Sequence, residues 1–118
     1  MKNDSGPMIQ HLNAALATQL ACINQCFLHA RILKHRGLLP LADGEYKESL
    51  DSMKFADQLV ERILALGGTP NMKELAAFNT GDSIASILAH DLELKERVSR
   101  QVRPMIADAG AAGDLASA

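Results

Sequence analysis

Apolar residues return every three or four positions along three stretches of this chain, and that period is helical. From about Met8 to Arg36, Leu12, Leu16, Leu20, Ile23 and Phe27 fall on one face with no Gly or Pro between them. Arg31, Lys34, His35 and Arg36 crowd the end, where the helix dipole favours cations; Gly37 supplies a C-terminal turn, and Pro40 bars continuation. A second helix is predicted from about Asp43, a suitable N-cap, to Leu66, with Glu45 and Glu48 in its first turns. It carries two stripes: Ser52, Phe55, Ala56, Leu59, Ile63 and Leu66 on one face, Tyr46, Leu50, Met53, Val60 and Leu64 on a neighbouring one. Two apolar faces imply two partners, the helix's own bundle and something else, although one wide buried face gives the same pattern. A third helix starts after Gly81 with Asp82 or Ser83 as its cap and carries Ile84, Ile87, Leu88, Leu92, Leu94, Val98 and Val102. Pro104 should kink or end it, and the glycines that follow make a poor helix. No fourth helix is predicted, so the chain divides into a helical domain over 1–103 and a Pro/Ala/Gly-rich tail over 104–118.

Gly67, Gly68 and Pro70 end the second helix. The connection from there to Gly81 is longer than the ~2–8 residues usual between antiparallel neighbours in bundles. A helix of ~23 residues is ~35 Å long, and an extended segment of ~14 residues reaches ~46 Å. The connection can therefore return along the whole bundle and make helices two and three parallel, the topology of a bundle with one long crossover. Met72, Leu75 and Phe78 would anchor it; a disordered loop would lack such residues.

The composition narrows the class. With 118 residues, one domain is expected, and 47% hydrophobic residues make it globular. The net charge of -2 and the mixed placement of charges leave no nucleic-acid footprint. Apolar runs stop short of the ~18 residues that span a bilayer, and Met1 to Pro7 hold no signal-peptide core, so a cytoplasmic protein is expected. Cys22 and Cys26, four apart on one helix, read as packed, reduced thiols. As a metal pair they lack a supporting His or carboxylate. His29 reads as structural, and His11, His35 and His90 as surface or helix-end residues. No Ser-His-Asp or Cys-His arrangement can be assigned. A Met on a helix face, such as Met53, is ordinarily a core residue.

Several longer stretches carry a resemblance. The runs Ala21-Cys22-Ile23-Asn24-Gln25-Cys26-Phe27-Leu28-His29-Ala30-Arg31 and Glu45-Tyr46-Lys47-Glu48-Ser49-Leu50-Asp51-Ser52-Met53-Lys54-Phe55-Ala56-Asp57 resemble the first two helices of bacterioferritins. Glu61-Arg62-Ile63-Leu64, Leu66-Gly67-Gly68, Pro70-Asn71 and Asn79-Thr80-Gly81 continue in register. Residues 1 to about 103 thus look like the N-terminal two thirds of a bacterioferritin. The resemblance implies an all-α, ferritin-like bundle of which the first three helices are present. It also implies a two-fold dimer, a hollow shell, a di-iron oxidation centre and a haem between subunits.

The same resemblance separates what is kept from what is lost. The family's di-iron ligands fall at Gln19, Ser52, Phe55 and Lys95, none of which is a carboxylate or an imidazole. Cys26 stands where the family has a Tyr beside the metals, and Lys47 replaces the His of an inner iron-binding pair that retains Asp51. No di-iron centre and no iron oxidation by the chain itself are expected. By contrast, the family's axial haem ligand falls at Met53, with Leu20, Ile23, Asn24, Phe27, Tyr46 and Leu50 as pocket positions for haem b. The function implied is that of a haem-binding, ferroxidase-deficient subunit in iron storage. Its expected partners are a second copy across the haem face and, in a shell, a full-length bacterioferritin. A small haem-bridged dimer for electron transfer, without storage, is the alternative.

Overall fold

The computed structural model describes residues 2–74 and 76–111, with side chains over 6–74 and 76–103. Its helices are α1 (Lys2–His35), α2 (Leu39–Ala65) and α3 (Ile84–Ala111), and the described residues include no strand. None of these helices is long and apolar enough to cross a membrane.

The helix ends follow from local chemistry. Gly37 takes φ 80°; its N–H meets the Lys34 carbonyl at 3.0 Å, and that of Leu38 meets Leu33 at 2.9 Å. Gly67 repeats this at the end of α2, with φ 81° and a Gly68 N–H to Ile63 carbonyl bond of 2.9 Å. Both are Schellman turns, which require the left-handed backbone that glycine adopts without strain. The starts depart from the sequence pattern. α1 begins before Met8 and contains Pro7, and α2 begins at Leu39 rather than Asp43. Pro40 ends nothing: it lies in the first turn of α2, where a missing N–H costs no helical bond. Ser83, not Asp82, caps α3, since its hydroxyl accepts the Ser86 N–H at 3.1 Å while the Ser86 hydroxyl accepts the Ser83 N–H at 3.0 Å. Nor does Pro104 stop α3, which runs on to Ala111 through residues rich in alanine, the best helix former.

Packing sets the topology. Leu12, Ala15 and Leu16 of α1 bury against Ala56, Leu59 and Ile63 of α2, with Val102 of α3 partly buried on the same cluster. At the other end Leu33, Ala42 and Ile87 form a second cluster. The early part of α1 thus meets the late parts of α2 and α3, so both run antiparallel to α1 and parallel to each other. The long crossover is present. It is fixed to α1 along its length by polar groups: Asn71 N–H to Asn13 at 2.8 Å, Ala76 N–H to the Ala17 carbonyl at 3.2 Å, Asn79 N–H to Gln25 at 3.1 Å and Gly81 N–H to His29 at 3.0 Å. The apolar anchors expected there contribute less. Met72 is exposed, Phe78 is half-buried, and Leu75 lies outside the described residues. An extended segment has free backbone donors, and acceptors on α1 satisfy them.

α2 and α3 stand apart, so a trough opens between them with α1 as its floor. Of the predicted α3 stripe, Ile87 and Leu94 are buried, whereas Leu88 and Leu92 are exposed along this trough.

Candidate functional site

Two surfaces of the bundle hold the residues that the sequence points to. The first is a cavity of about 430 Å³ in the trough, which Gln19, Ser52, Phe55 and Lys95 all line. The four positions expected to have lost metal ligands do converge. Gln19 is buried and neutral, and Phe55 packs partly against the core. Lys95 donates to Glu48 at 3.1 Å, and this bond raises its pKa. Asp51 reaches the cavity, while Lys47 is exposed. Cys22 and Cys26 are free thiols buried on the cavity floor, as their spacing predicts. Burial pushes the Cys22 thiol up to about 11 and that of Cys26 further in the same direction. At neutral pH, and without a cation, both are protonated packing residues.

The cavity wall is richer in oxygen donors than its four altered positions suggest. Glu45 and Asp91 line it beside Cys26. Asp91 Oδ1 accepts from Gln25 Nε2 at 2.9 Å and lies 3.0 Å from His29 Nδ1. His29 is fully buried, and its Nε2 accepts the Gly81 N–H, so the ring is neutral and its proton sits on Nδ1, facing Asp91. The expectation that His29 is structural is met. The family pattern and the apolar stripes do not point to Gln25 and Asp91, yet the sequence carries a signal for them. Asp91 lies four residues after Ile87 and three before Leu94, the buried face of α3, and a polar residue at such a position needs partners.

Burial, and then the neighbouring Asp91, push the Glu45 carboxyl up to about 8. The folded value lies above the unfolded value of 4.5, so the unfolded state loses its proton first and stability falls as pH rises between the two, levelling off above about 8. Glu45→Gln mimics the protonated form. In chelator-treated protein it should melt like the parent at pH 5 and several degrees higher at pH 8.5, as followed by circular dichroism. Equal melting at both values would contradict the shift.

The second surface faces outward. Met53 is 51% exposed, and Phe27, Tyr46 and Leu50 are between 40% and 45% exposed. The Phe27 and Tyr46 rings lie 6.4 Å apart, and the Arg31 guanidinium sits 5.4 Å from the Phe27 centroid. Ser49 donates to the Ile23 carbonyl at 2.9 Å and so holds this part of α2 against α1. Leu20 and Ile23 are partly buried against the core, and Asn24 is exposed beside them. The second stripe of α2 is thus largely uncovered within one chain, which answers the choice between two faces and one wide buried face. Polarisable and aromatic groups gathered in this way can grip a flat apolar ligand or a second protein surface.

This architecture, with its crossover and inward-facing cavity, is that of the ferritin-like proteins. The family model of the ferritin-like domain matches residues 9–118, and the chain belongs to that family. More particularly, it is similar to bacterioferritins. It is 36% identical over 111 residues to that of Streptomyces coelicolor, covering 94% of this chain and 66% of the relative. It is 34% identical over 99 residues to that of Mycobacterium avium, covering 84% and 62%, and 36% identical over 86 residues to that of Brucella melitensis, covering 73% and 53%. The chain therefore spans between 53% and 66% of the length of these relatives.

Proposed function

We propose that this chain is a haem-binding subunit of the bacterioferritin type, which serves iron storage and leaves iron oxidation to a complete partner subunit. The observation that carries this reading is the contrast between its two surfaces. On the outer face a thioether, two aromatic rings and Leu50 are exposed together. On the inner face, the four cavity positions that match the family's di-iron ligands offer an amide, a hydroxyl, a phenyl ring and an ammonium. The outer set fits a haem, which needs a flat apolar slot and a soft neutral ligand such as a thioether. The inner set does not fit a pair of iron ions, which need several carboxylates and imidazoles from facing helices.

When bound, haem supplies a one-electron redox centre. Met53 would ligate its iron, together with Met53 of a second copy. Phe27, Tyr46 and Leu50 would cover the ring and exclude water, while Leu20, Ile23 and Asn24 form the border. In a mixed shell, the haem face would join two copies and the trough would face the interior.

Two assays on the purified chain test this reading. A haem titration followed by absorbance should saturate, with bands distinct from free haem. Iron(II) oxidation should run no faster than the protein-free control, with or without haem. Oxidation above the control by the haem-free chain would overturn the assignment of the inner face.

A further inference from the structure

The cavity that fails as a di-iron site holds a different ligand set. Cys26 Sγ, a Glu45 oxygen and an Asp91 oxygen all lie within 4.8 Å of one another. These donors come from two different helices besides α1, so no single run of sequence displays them together. Among the described residues this group is distinct from Gln19, Ser52, Phe55 and Lys95.

The second observation is a pair of buried carboxyl groups that face each other. The Asp91 side chain is 10% exposed, and its Oδ1 is fully engaged by Gln25 and His29. Its Oδ2 and Glu45 Oε1 are buried on the cavity wall and accept no N–H from another residue, with His29 Nδ1 3.5 Å from Glu45 Oε1; the proton held by the raised Glu45 carboxyl lies between it and Asp91. Two buried carboxyl groups matched by one shared proton can exchange that proton for a cation that both ligate.

We propose that Cys26, Glu45 and Asp91 form a binding site for one divalent cation of borderline softness, of which Zn²⁺ is the fitting ion. In tetrahedral zinc sites with bonds of ~2.0–2.3 Å the ligand atoms sit about 3.5 Å apart. Side-chain rotation of about an ångström closes the present group to that spacing. A thiolate among the ligands selects against Mg²⁺ and Ca²⁺. His29 is not a ligand, because both its nitrogens are committed. It is a positioning residue: its Nδ1–H fixes Asp91 so that Oδ2 faces the cavity, the usual role of hydrogen bonds behind metal ligands. Cys22, one turn away, is outside the group. Binding exchanges protons for the cation: the Cys26 thiol and the Glu45 carboxyl release theirs to solvent as the Sγ–metal and oxygen–metal bonds form. The fourth position opens to the cavity and takes water. This site is independent of the haem reading and involves no electron transfer.

Cobalt(II) is the probe, since a Co²⁺–thiolate bond gives a near-ultraviolet charge-transfer band. The chelator-treated full chain should bind one equivalent of Co²⁺ with that band, and Zn²⁺ but not excess Mg²⁺ should erase it. Cys22→Ser should keep the band, Cys26→Ser should lose it, and Glu45→Gln should weaken Co²⁺ at least tenfold with the helices intact by circular dichroism. No band at saturating Co²⁺, a band that survives Cys26→Ser, or one lost with Cys22→Ser would overturn the site. If Cys26→Ser does not fold, unchanged Co²⁺ affinity in Glu45→Gln overturns it instead.

Discussion

Replacement of Met53 by alanine is expected to abolish haem uptake while leaving the helical spectrum and melting temperature of the chain unchanged. The side chain is half exposed in the single chain, so its truncation opens no internal cavity, and surface changes of this kind ordinarily stay within about 0.5 kcal/mol. The effect on haem is of another order. On the proposed reading, one substitution removes the thioether that each of two copies would offer the haem, and the remaining slot would hold the ring by apolar contact alone. A loss of more than tenfold in affinity, about 1.4 kcal/mol, is the least that should be seen in a titration followed by absorbance. Met53→His is the informative companion, since it restores a ligand of different chemistry and should return haem with a shifted spectrum. Equal haem affinity in Met53→Ala would remove this residue from the site.

The second large effect is expected at His29. This ring is fully buried and joins three parts of the fold: α1, which carries it; α3, through Asp91; and the end of the crossover, through the Gly81 N–H. His29→Ala leaves the Gly81 donor without its acceptor, takes one donor from a buried carboxylate and opens a void of imidazole size. Each unmet buried polar group costs about 1–3 kcal/mol, and the void adds to that. A total of about 3–5 kcal/mol is a large share of the about 5–15 kcal/mol that holds an ordinary domain together. The variant should unfold at much lower urea than the parent, with the crossover and the start of α3 losing amide-exchange protection first. A midpoint within the error of the parent would show that this junction does not hold the crossover.

The helices and their stops were legible because they rest on period and on glycine, both local properties. Gly37 and Gly67 end α1 and α2 where the pattern places them, and the burial of Leu12, Leu16, Leu59 and Ile63 follows the first stripe. Proline misled at positions 40 and 104: at 40 the missing N–H falls in the first turn of α2, where no helical bond is lost, and at 104 the helix runs on past it despite the lost bond. The crossover's length was readable, but what fastens it was not. Asn13, Gln25 and His29 are ordinary polar residues until a strand of backbone lies beside them. The cavity shows the same limit. Gln19, Ser52, Phe55 and Lys95 could be aligned with a family pattern, whereas Cys26, Glu45 and Asp91 meet only through the packing of three helices.

The claim on which the functional account turns is that the face around Met53 closes on haem only when a second copy is present. Native mass spectrometry of the haem-loaded chain tests it most directly. A species of two chains and one haem is expected, absent when haem is withheld and absent from Met53→Ala. A haem carried by one chain alone, or a pair of chains that forms equally well without haem and takes none up, would contradict it.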